Sequence, residues 1–382
     1  MIGRPGADRA DLATRRLQGG TGIPVEFIGM IATRASSETR SADGPLVDVP
    51  FTRAFARVHE ESGFDRALIG YYSDAPDGFV VAGDVFAHSE RLGVLLAHRP
   101  GFVAPTVAAR KLATLDQFSG GRLALHVISG GSDADQRRDG DYLDHDTRYR
   151  RTDEYLEVLR AIWTGEGPID HAGEFYRFEG ASTAVRTAQQ PHLPIYFGGS
   201  SDAAIAVAAR HADVYALWGE PLEPARAHIE RVRAAAAANG RALRFSLSLR
   251  AILGDTEDAA WERAHALLEQ ARARVAGGGG SYARSESVGS RRLLEAAAAG
   301  DVHDERLFTA IAEATGARGN TTALVGTAEQ VAASLLRYVD IGVTTILLRG
   351  FDPLEDARDY ATVVRLVRAE VDRRDQLAAI DH

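Results

Sequence analysis

The sequence predicts an α/β protein with the (β/α)8 TIM-barrel architecture, in which eight parallel strands alternate with helices. Eight short apolar runs are typical of buried strands, and segments with apolar residues at helical spacing separate them. Two of these runs break into loops of small residues that lead into a helix, at residues 129–133 and 198–201. The length of 382 residues suits one barrel domain. A doubly wound open sheet is the alternative, but eight units close more naturally into a barrel.

The first half of the chain provides four strands and four helices. Asp48 begins a helical run that stops at Gly63, and Pro105 opens another at the first turn, where proline is tolerated. Residues 168–187 alternate around Gly173 and predict a small hairpin. The strands are predicted at residues 25–31, 66–69, 92–97 and 122–129, and the helices at 48–62, 78–88, 105–118 and 147–163.

The second half provides the remaining barrel units and one segment that does not fit them. Residues 276–320 begin with four glycines and continue with arginine pairs and an alanine run. We expect them to form an insertion before the last βα unit that acts as a mobile lid; a surface excursion without that role is the alternative. The strands are predicted at residues 195–197, 214–217, 243–253 and 344–348, and the helices at 201–210, 223–239, 256–275, 328–341 and 354–373.

Residues 1–22 predict a disordered tail, which leaves residues 23–382 as a single domain. The tail carries arginines, aspartates and glycines without an apolar segment, so it resembles neither a secretory signal nor an anchor. No apolar run in the chain approaches the roughly 18 residues needed to span a membrane. We therefore expect a cytoplasmic protein without membrane contact.

Composition excludes several classes of function. The chain has no cysteine, so disulfides, thiolate metal sites and cysteine nucleophiles are impossible. Its formal charge of −9, without long basic runs, argues against nucleic-acid binding. The twelve histidines are scattered outside the spacings of helical zinc motifs, and no glycine-rich dinucleotide motif joins a predicted strand to a helix. We expect no metal site and no Rossmann-type cofactor site.

The loops after the fourth and fifth predicted strands are typical of an anion-binding site. Gly199, Ser200 and Ser201 offer backbone N–H groups and hydroxyls at the start of a helix, where a phosphate is favoured. Ser129 closes the fourth strand and faces the same end of the barrel. The two loops together predict a phosphorylated cofactor, and a tight turn capped by serine is the plainer alternative.

The amino-acid sequences of six segments resemble those of one known superfamily. Residues 104–122, 143–149 and 197–201 resemble the bacterial luciferase-like superfamily of flavin-dependent monooxygenases. Residues 215–221, 285–289 and 322–326 resemble its alkanesulfonate monooxygenase branch, in which riboflavin lyase-like enzymes are included. The six segments follow the family's order, and the resemblance runs from about residue 25 to about residue 371.

This resemblance implies that FMN lies at the carboxyl end of the barrel. His126 stands where the family has an asparagine-like flavin contact, and the strand period points it into the barrel. His145 and Tyr149 match a family motif that helps to hold the flavin and its phosphate. Two plainer roles remain open: a hydrogen-bonded core histidine at position 126, and packing of Tyr149 behind an aspartate helix cap.

Four further residues are predicted to act in catalysis: His98, Trp218, Arg250 and Arg292. Trp218 ends the sixth strand, where an aromatic side chain would line the site of the flavin or the substrate. Packing in the core is the alternative. Arg292 matches the family's mobile arginine, whereas His98 departs from the family pattern. A structural ion pair with an acidic neighbour is the alternative for Arg250.

The seventh strand carries the clearest departure from the sulfonate enzymes. Their inner face has an arginine and a histidine two residues apart, and this chain has Ser248 and Arg250 instead. The family's cysteine after the second strand corresponds to a position near Ala75. These differences put an alkanesulfonate substrate in doubt, while the flavin and oxygen chemistry stays credible.

The resemblance therefore implies a two-component monooxygenase. A separate NAD(P)H:flavin reductase would supply reduced FMN (FMNH2), and the protein would use O2 on a small organic substrate such as a sulfonate or sulfone. A homo-oligomer, dimer or tetramer, is expected. The alternatives are a riboflavin lyase-type enzyme that cleaves the ribityl chain with reduced FMN and O2, a flavin-binding protein without catalysis, and a deazaflavin-dependent reductase, which the sulfonate-branch motifs disfavour.

Overall fold

The computed structural model describes residues 24–278, 287–317 and 319–380, and it shows an eight-stranded parallel barrel surrounded by helices. The predicted tail at residues 1–22 and residues 279–286 of the predicted lid lie outside the described residues. The predicted TIM-barrel fold is confirmed, with additional strands inserted before the last barrel strand.

The described residues form thirteen strands. They are β1 (Glu26–Ile31), β2 (Arg66–Ile69), β3 (Gly93–His98), β4 (Leu123–Val127), β5 (Ile169–Ala172), β6 (Arg177–Ala181), β7 (Ile195–Gly198), β8 (Val214–Trp218), β9 (Arg244–Leu253), β10 (Val302–His303), β11 (Leu307–Phe308), β12 (Ala323–Gly326) and β13 (Val343–Arg349). The barrel runs β1-β2-β3-β4-β7-β8-β9-β13 and closes through parallel pairing of β13 with β1. Strands β5 and β6 form the predicted hairpin.

Twelve helices are found in the described ranges beside these strands. They are α1 (Val49–Glu61), α2 (Gly78–Ala87), α3 (Pro105–Ser119), α4 (Asp133–Arg138), α5 (His145–Thr164), α6 (Asp202–His211), α7 (Leu222–Ala238), α8 (Glu257–Ala276), α9 (Val288–Ala299), α10 (Ala310–Ala314), α11 (Ala328–Asp340) and α12 (Pro353–Ile380). Side-chain caps fix several beginnings: Asp48 and Asp77 accept from the third residue of α1 and α2, and Thr327 forms a full capping box on α11. No helix in the described part of the chain is both long and apolar enough to cross a membrane.

The barrel interior is closed at the amino ends of its strands. Glu26 accepts hydrogen bonds there from Nε of Arg66 and the hydroxyl of Tyr196, both at 2.7 Å. Above this polar floor an apolar layer fills the interior, with members from six strands: Ile28, Leu95, Ala124, Tyr196, Val214 and Leu347. A ligand therefore enters from the carboxyl ends of the strands, as in other barrels of this type.

Strand β9 belongs to the barrel and to an appended sheet. Residues 244–248 of β9 pair with β8, whereas residues 250–253 pair with β12 along the same edge. Helices α8 and α10 pack on this extension around Phe308 and Ile311, which are almost fully buried. The described part of the predicted insertion is thus folded, with its own small core. Helices α4, α9 and α10 and strands β10, β11 and β12 were not predicted as separate elements.

Candidate active site

The register of the strands decides which predicted residues meet at the barrel mouth. Positions in phase with the interior layer face inward, so His126, Trp218 and Arg250 lie on the inner face of β4, β8 and β9. Arg349, which was not predicted, lies on the same face of β13. The carboxyl end of the barrel therefore gathers an imidazole, an indole and two guanidinium groups.

The loop after β7 forms a close-fitting corner around Gly199. Gly199 has φ +132°, and a Cβ there would lie 2.7 Å from Cβ of Ala204 and 3.1 Å from the hydroxyl of Tyr149. Ser201 caps α6 and accepts from the backbone N–H of Ala204 at 3.2 Å. The predicted group of Tyr149, Gly199, Ser200 and Ser201 is thus brought together at a helix N-terminus.

Tyr149 and its neighbours form the wall of this corner. The ring of Tyr149 lies 4.8 Å from the ring of His145 and 6.3 Å from that of Phe197. Burial raises the pKa of the Tyr149 hydroxyl, although a hydrogen bond with Ser201 works against that rise. His145 itself is exposed and pairs with Asp146 at 2.8 Å, so it stands at the edge of the corner. Tyr149 therefore presents an uncharged hydroxyl beside the capped helix.

His126 is the inward-facing polar side chain of β4. Its Nδ1 is buried without a hydrogen-bond partner among the described residues, and burial lowers the pKa of the imidazole to about 4. The ring is therefore neutral near pH 7 and keeps an unused polar atom. Ser129 differs, because its hydroxyl bonds Thr152 of α5 at 2.9 Å, and only its backbone carbonyl accepts from Gln136 of α4.

Trp218 is partly exposed at the mouth and contacts the beginning of the insertion. A Cβ on Gly289 would lie 3.2 Å from Cε3 of its indole, and a Cβ on Gly131 would lie 3.7 Å from Ser287. The first turn of α9 therefore lies across the ends of β4 and β8. This contact places the described part of the insertion at the mouth of the barrel.

Arg292 does not face the inner mouth in this arrangement. Its Nε donates to Oε1 of Glu220 at 2.7 Å, its Nη2 donates to the other carboxylate oxygen, and Nη2 also reaches the carbonyl of Pro224 at 3.4 Å. Hydrogen bonding to Glu220 raises the pKa of Arg292, against the effect of burial. The bidentate pair ties α9 to the loop after β8.

Arg250 is 2% exposed and every nitrogen of its guanidinium has a partner. Its Nη2 lies 2.5 Å from Oε2 of Glu38, its Nε donates to the carbonyl of Asn320 at 3.4 Å, and its Nη1 donates to that of Gly350. The guanidinium carbon also lies 4.5 Å from the centre of the Phe351 ring. The structure therefore shows the ion pair that the sequence left open as an alternative for this residue.

His98 does not lie at the barrel mouth, where its position at the end of a strand predicted it. It shares the outer face of β3 with Val94 and Leu96, while Leu95 faces the interior. Its Nε2 lies 2.6 Å from the hydroxyl of Tyr155 in α5, and burial lowers the pKa of its imidazole to about 4. The expected placement at the mouth was wrong, because strand alternation turns position 98 towards the helices.

Sequence reasoning also missed a polar group beside β3. Arg99, 4% exposed, donates from Nη2 to Asp135 of α4 at 2.5 Å and lies 4.5 Å from the centre of the Tyr71 ring. Ser73 donates to the same carboxylate at 2.6 Å. The arginine-proline pair after the third strand was the available signal, but short helix α4 gave none. Within residues 24–278, 287–317 and 319–380, no group of three or more histidines or carboxylates is placed to hold a metal ion.

Comparison with known proteins identifies relatives of the whole barrel. Residues 25–345 match the family model described as luciferase-like monooxygenase. A solved structure of riboflavin lyase (RcaE), with modified FMN and riboflavin, has a TM-score of 0.73 at 20% identity over 91% of this chain and 92% of that one. EDTA monooxygenase (EmoA) from Chelativorans sp. BNC1 has a TM-score of 0.72 at 18% identity over 92% and 94%. An F420-dependent secondary alcohol dehydrogenase has a TM-score of 0.64 at 16% identity over 90% and 99%.

Proposed function

Because the chain belongs to the family of luciferase-like monooxygenases, we propose that it is a two-component enzyme that works with reduced FMN. Family members use a reduced flavin, either FMN or F420. The proposed co-substrate is O2, and the proposed substrate is a small organic molecule of the sulfone or sulfonate type. A separate NAD(P)H:flavin reductase would deliver the reduced flavin, and a homo-oligomer is the proposed assembly.

The corner around Gly199 is the observation that carries this proposal. It offers backbone N–H groups at the start of α6, the Ser200 and Ser201 hydroxyls and the uncharged hydroxyl of Tyr149. The space where a side chain of Gly199 would lie is closed by Ala204 and Tyr149, so the backbone itself forms the floor. These donors fit a single terminal phosphate, as FMN carries.

The remaining residues at the mouth fit the ring end of such a cofactor. Neutral His126 would hydrogen-bond a polar edge of the ring through its unpartnered Nδ1, and Trp218 would flank it. The start of α9 lies against Trp218 and helps to exclude water. The cofactor, when bound, supplies the electrons for activation of dioxygen, while these side chains orient it and limit solvent access.

Anaerobic binding of chemically reduced flavins tests the cofactor. We expect reduced FMN to bind more tightly than FAD, reduced F420 or NADPH. The double variant Ser200→Leu/Ser201→Leu should raise the Kd for reduced FMN about tenfold or more, because charge-assisted hydrogen bonds are lost. Thr256→Leu removes the cap of α8 far from the corner and serves as the control. Equal FMN affinity in the double variant and wild type would reject the phosphate site.

Product mass tests the reaction. Wild-type protein with reduced FMN should convert its substrate only when O2 is present, with a product that is 16 mass units heavier or is a fragment of an oxygenated substrate, and with less H2O2 than reduced FMN and O2 give without substrate. Sulfones, sulfonates and riboflavin belong in the same screen. Cleavage of riboflavin to a ribityl-free flavin would favour the riboflavin lyase-type alternative. Flavin binding without O2-dependent conversion of any compound in the screen would favour a binding protein instead.

A further inference from the structure

Two arginines at the barrel mouth share the carboxylate of Glu38. This glutamate comes from the loop between β1 and α1, and its Oε2 lies 2.5 Å from Nη2 of Arg250. Its Oε1 lies 3.5 Å from Nη2 of Arg349, which is adjacent across the β9–β13 pair. One loop carboxylate therefore lies between the two cations of the inner face.

The two arginines differ in how much of them a ligand can reach. The side chain of Arg250 is 2% exposed, and its other partners are the carbonyls of Asn320 and Gly350. The side chain of Arg349 is 22% exposed, and its other partners are the Asn320 carbonyl and the sulfur of Met30. Any anion at this end of the site would meet Arg349 first, with Glu38 beside it.

We propose that Glu38 determines substrate specificity by excluding anionic groups from the Arg250–Arg349 pair, so that the site takes an uncharged polar substrate group such as a sulfone. An incoming sulfonate would face the carboxylate at close range, and the two like charges would repel each other. A sulfone keeps two sulfonyl oxygens as acceptors for Arg349 and carries no charge. This assignment rests on the proposed function, because it concerns the substrate of that site.

The charge state of Glu38 supports its role. Burial opposes ionisation of this carboxyl, but Arg250 and Arg349 outweigh it and hold the pKa of Glu38 below its ordinary value. The carboxylate is therefore charged throughout the neutral range. Displacing it would leave Arg250 buried without its only anionic partner among the described residues, which is costly.

Calorimetric titration with a matched pair of ligands tests the proposal. Octane-1-sulfonate and methyl octyl sulfone differ chiefly in charge, and both are titrated without flavin into wild-type protein and Glu38→Gln. Wild type should bind the sulfone more tightly than the sulfonate. Glu38→Gln should shift the ratio of the two Kd values towards the sulfonate by about tenfold or more. Glu179→Gln removes an exposed carboxylate from the β5–β6 hairpin and should leave the ratio unchanged.

A second variant keeps the test valid if Glu38→Gln fails to fold. Arg349→Gln leaves Glu38 and Arg250 in place, and it should weaken the sulfonate further while changing sulfone binding less. An unchanged ratio in whichever of these variants folds, or a wild type that prefers the sulfonate, would overturn the proposal. Loss of FMN binding, measured separately, would reject the proposed function without changing these ratios.

Discussion

Gly289 lies directly against Trp218: a Cβ on the glycine would be 3.2 Å from Cε3 and 3.3 Å from Cζ3 of the indole. The contact joins the first turn of α9 to the end of β8, so the insertion and the barrel touch at this point. A side chain at position 289 has to move the indole or the helix. The pair therefore reports on how closely the insertion covers the mouth.

The first prediction concerns this contact. Gly289→Val should destabilise the protein by about 1–3 kcal/mol, because overpacking forces the indole or the helix to shift. It should also change the fluorescence of Trp218. Gly83→Val is the control, since a Cβ at Gly83 in α2 meets nothing within 4 Å. Denaturant unfolding gives the free energies, and equal values for the two variants would show that α9 does not press on Trp218.

The second prediction concerns the corner at Gly199. Gly199→Ala should weaken reduced-FMN binding about tenfold or more, because the new Cβ meets Ala204 at 2.7 Å and occupies a left-handed backbone position. Gly240→Ala also places a Cβ at a positive φ, +67°, but meets nothing within 4 Å among the described residues. Anaerobic titration should separate the two variants. Similar FMN affinity in both would place the phosphate elsewhere.

The third prediction concerns the stability of the Arg250 ion pair. Arg250→Met should lower the free energy of unfolding by about 3 kcal/mol, since it leaves a partly buried carboxylate with one weaker partner. Arg177→Met, on an 80% exposed side chain, should change stability little. Thermal unfolding and low-temperature turnover are measured together. A variant with normal melting but greatly reduced turnover would instead assign Arg250 to the chemistry.

The fourth prediction concerns acid sensitivity through His59. Burial lowers the pKa of this imidazole to about 4, against the effect of its hydrogen bond with the Phe55 carbonyl. Its Nε2 accepts from the backbone N–H of Met30 at 3.3 Å, which requires the neutral ring. An unfolded histidine titrates near 6.5, so this stability is fully present above pH 6.5, is lost progressively as pH falls from 6.5, and is gone once pH has fallen through 4.

Denaturant unfolding at pH 7 and pH 5 measures this loss. The His59 contribution should fall by about 2 kcal/mol between these two values. His59→Gln, which keeps a donor and an acceptor, should remove that part of the pH dependence. His88→Gln, on a side chain that is 41% exposed, should keep it. An unaltered pH dependence in His59→Gln would mean that the imidazole is not held neutral.

The barrel was predictable because its signal is local. Each wall strand is a contiguous apolar run that is followed by a segment with helical spacing. The predicted bounds of these eight strands agree with the structure to within about two residues. Helix α4 was missed because it has six residues and buries only Gln136, too little for a periodic pattern. Strand β12, with four residues, was noticed only as a family motif.

The candidate site was predictable only in part, because its pairings are distant in sequence. Glu38 lies 212 residues from Arg250, and no local pattern links them. Position 98 is a different case: β3 is buried on both faces, so its sequence has no polar alternation that would have shown that Leu95, rather than His98, faces inward. The glycine and serine corner was found because its loop, cap and helix are consecutive.

Strand β9 extends beyond its pairing with β8, and the insertion is attached to this extension. The unit that contains α9, α10 and β10–β12 pairs with the wall only along four residues of β9 among the described residues, and its other links are side-chain contacts such as those of Asn320 and Arg292. The closed ring of eight strands does not depend on it for pairing. We therefore expect that residues 287–326 can be replaced as one segment without breaking any strand pair of the closed ring, which would change the rim of the barrel mouth and keep its wall.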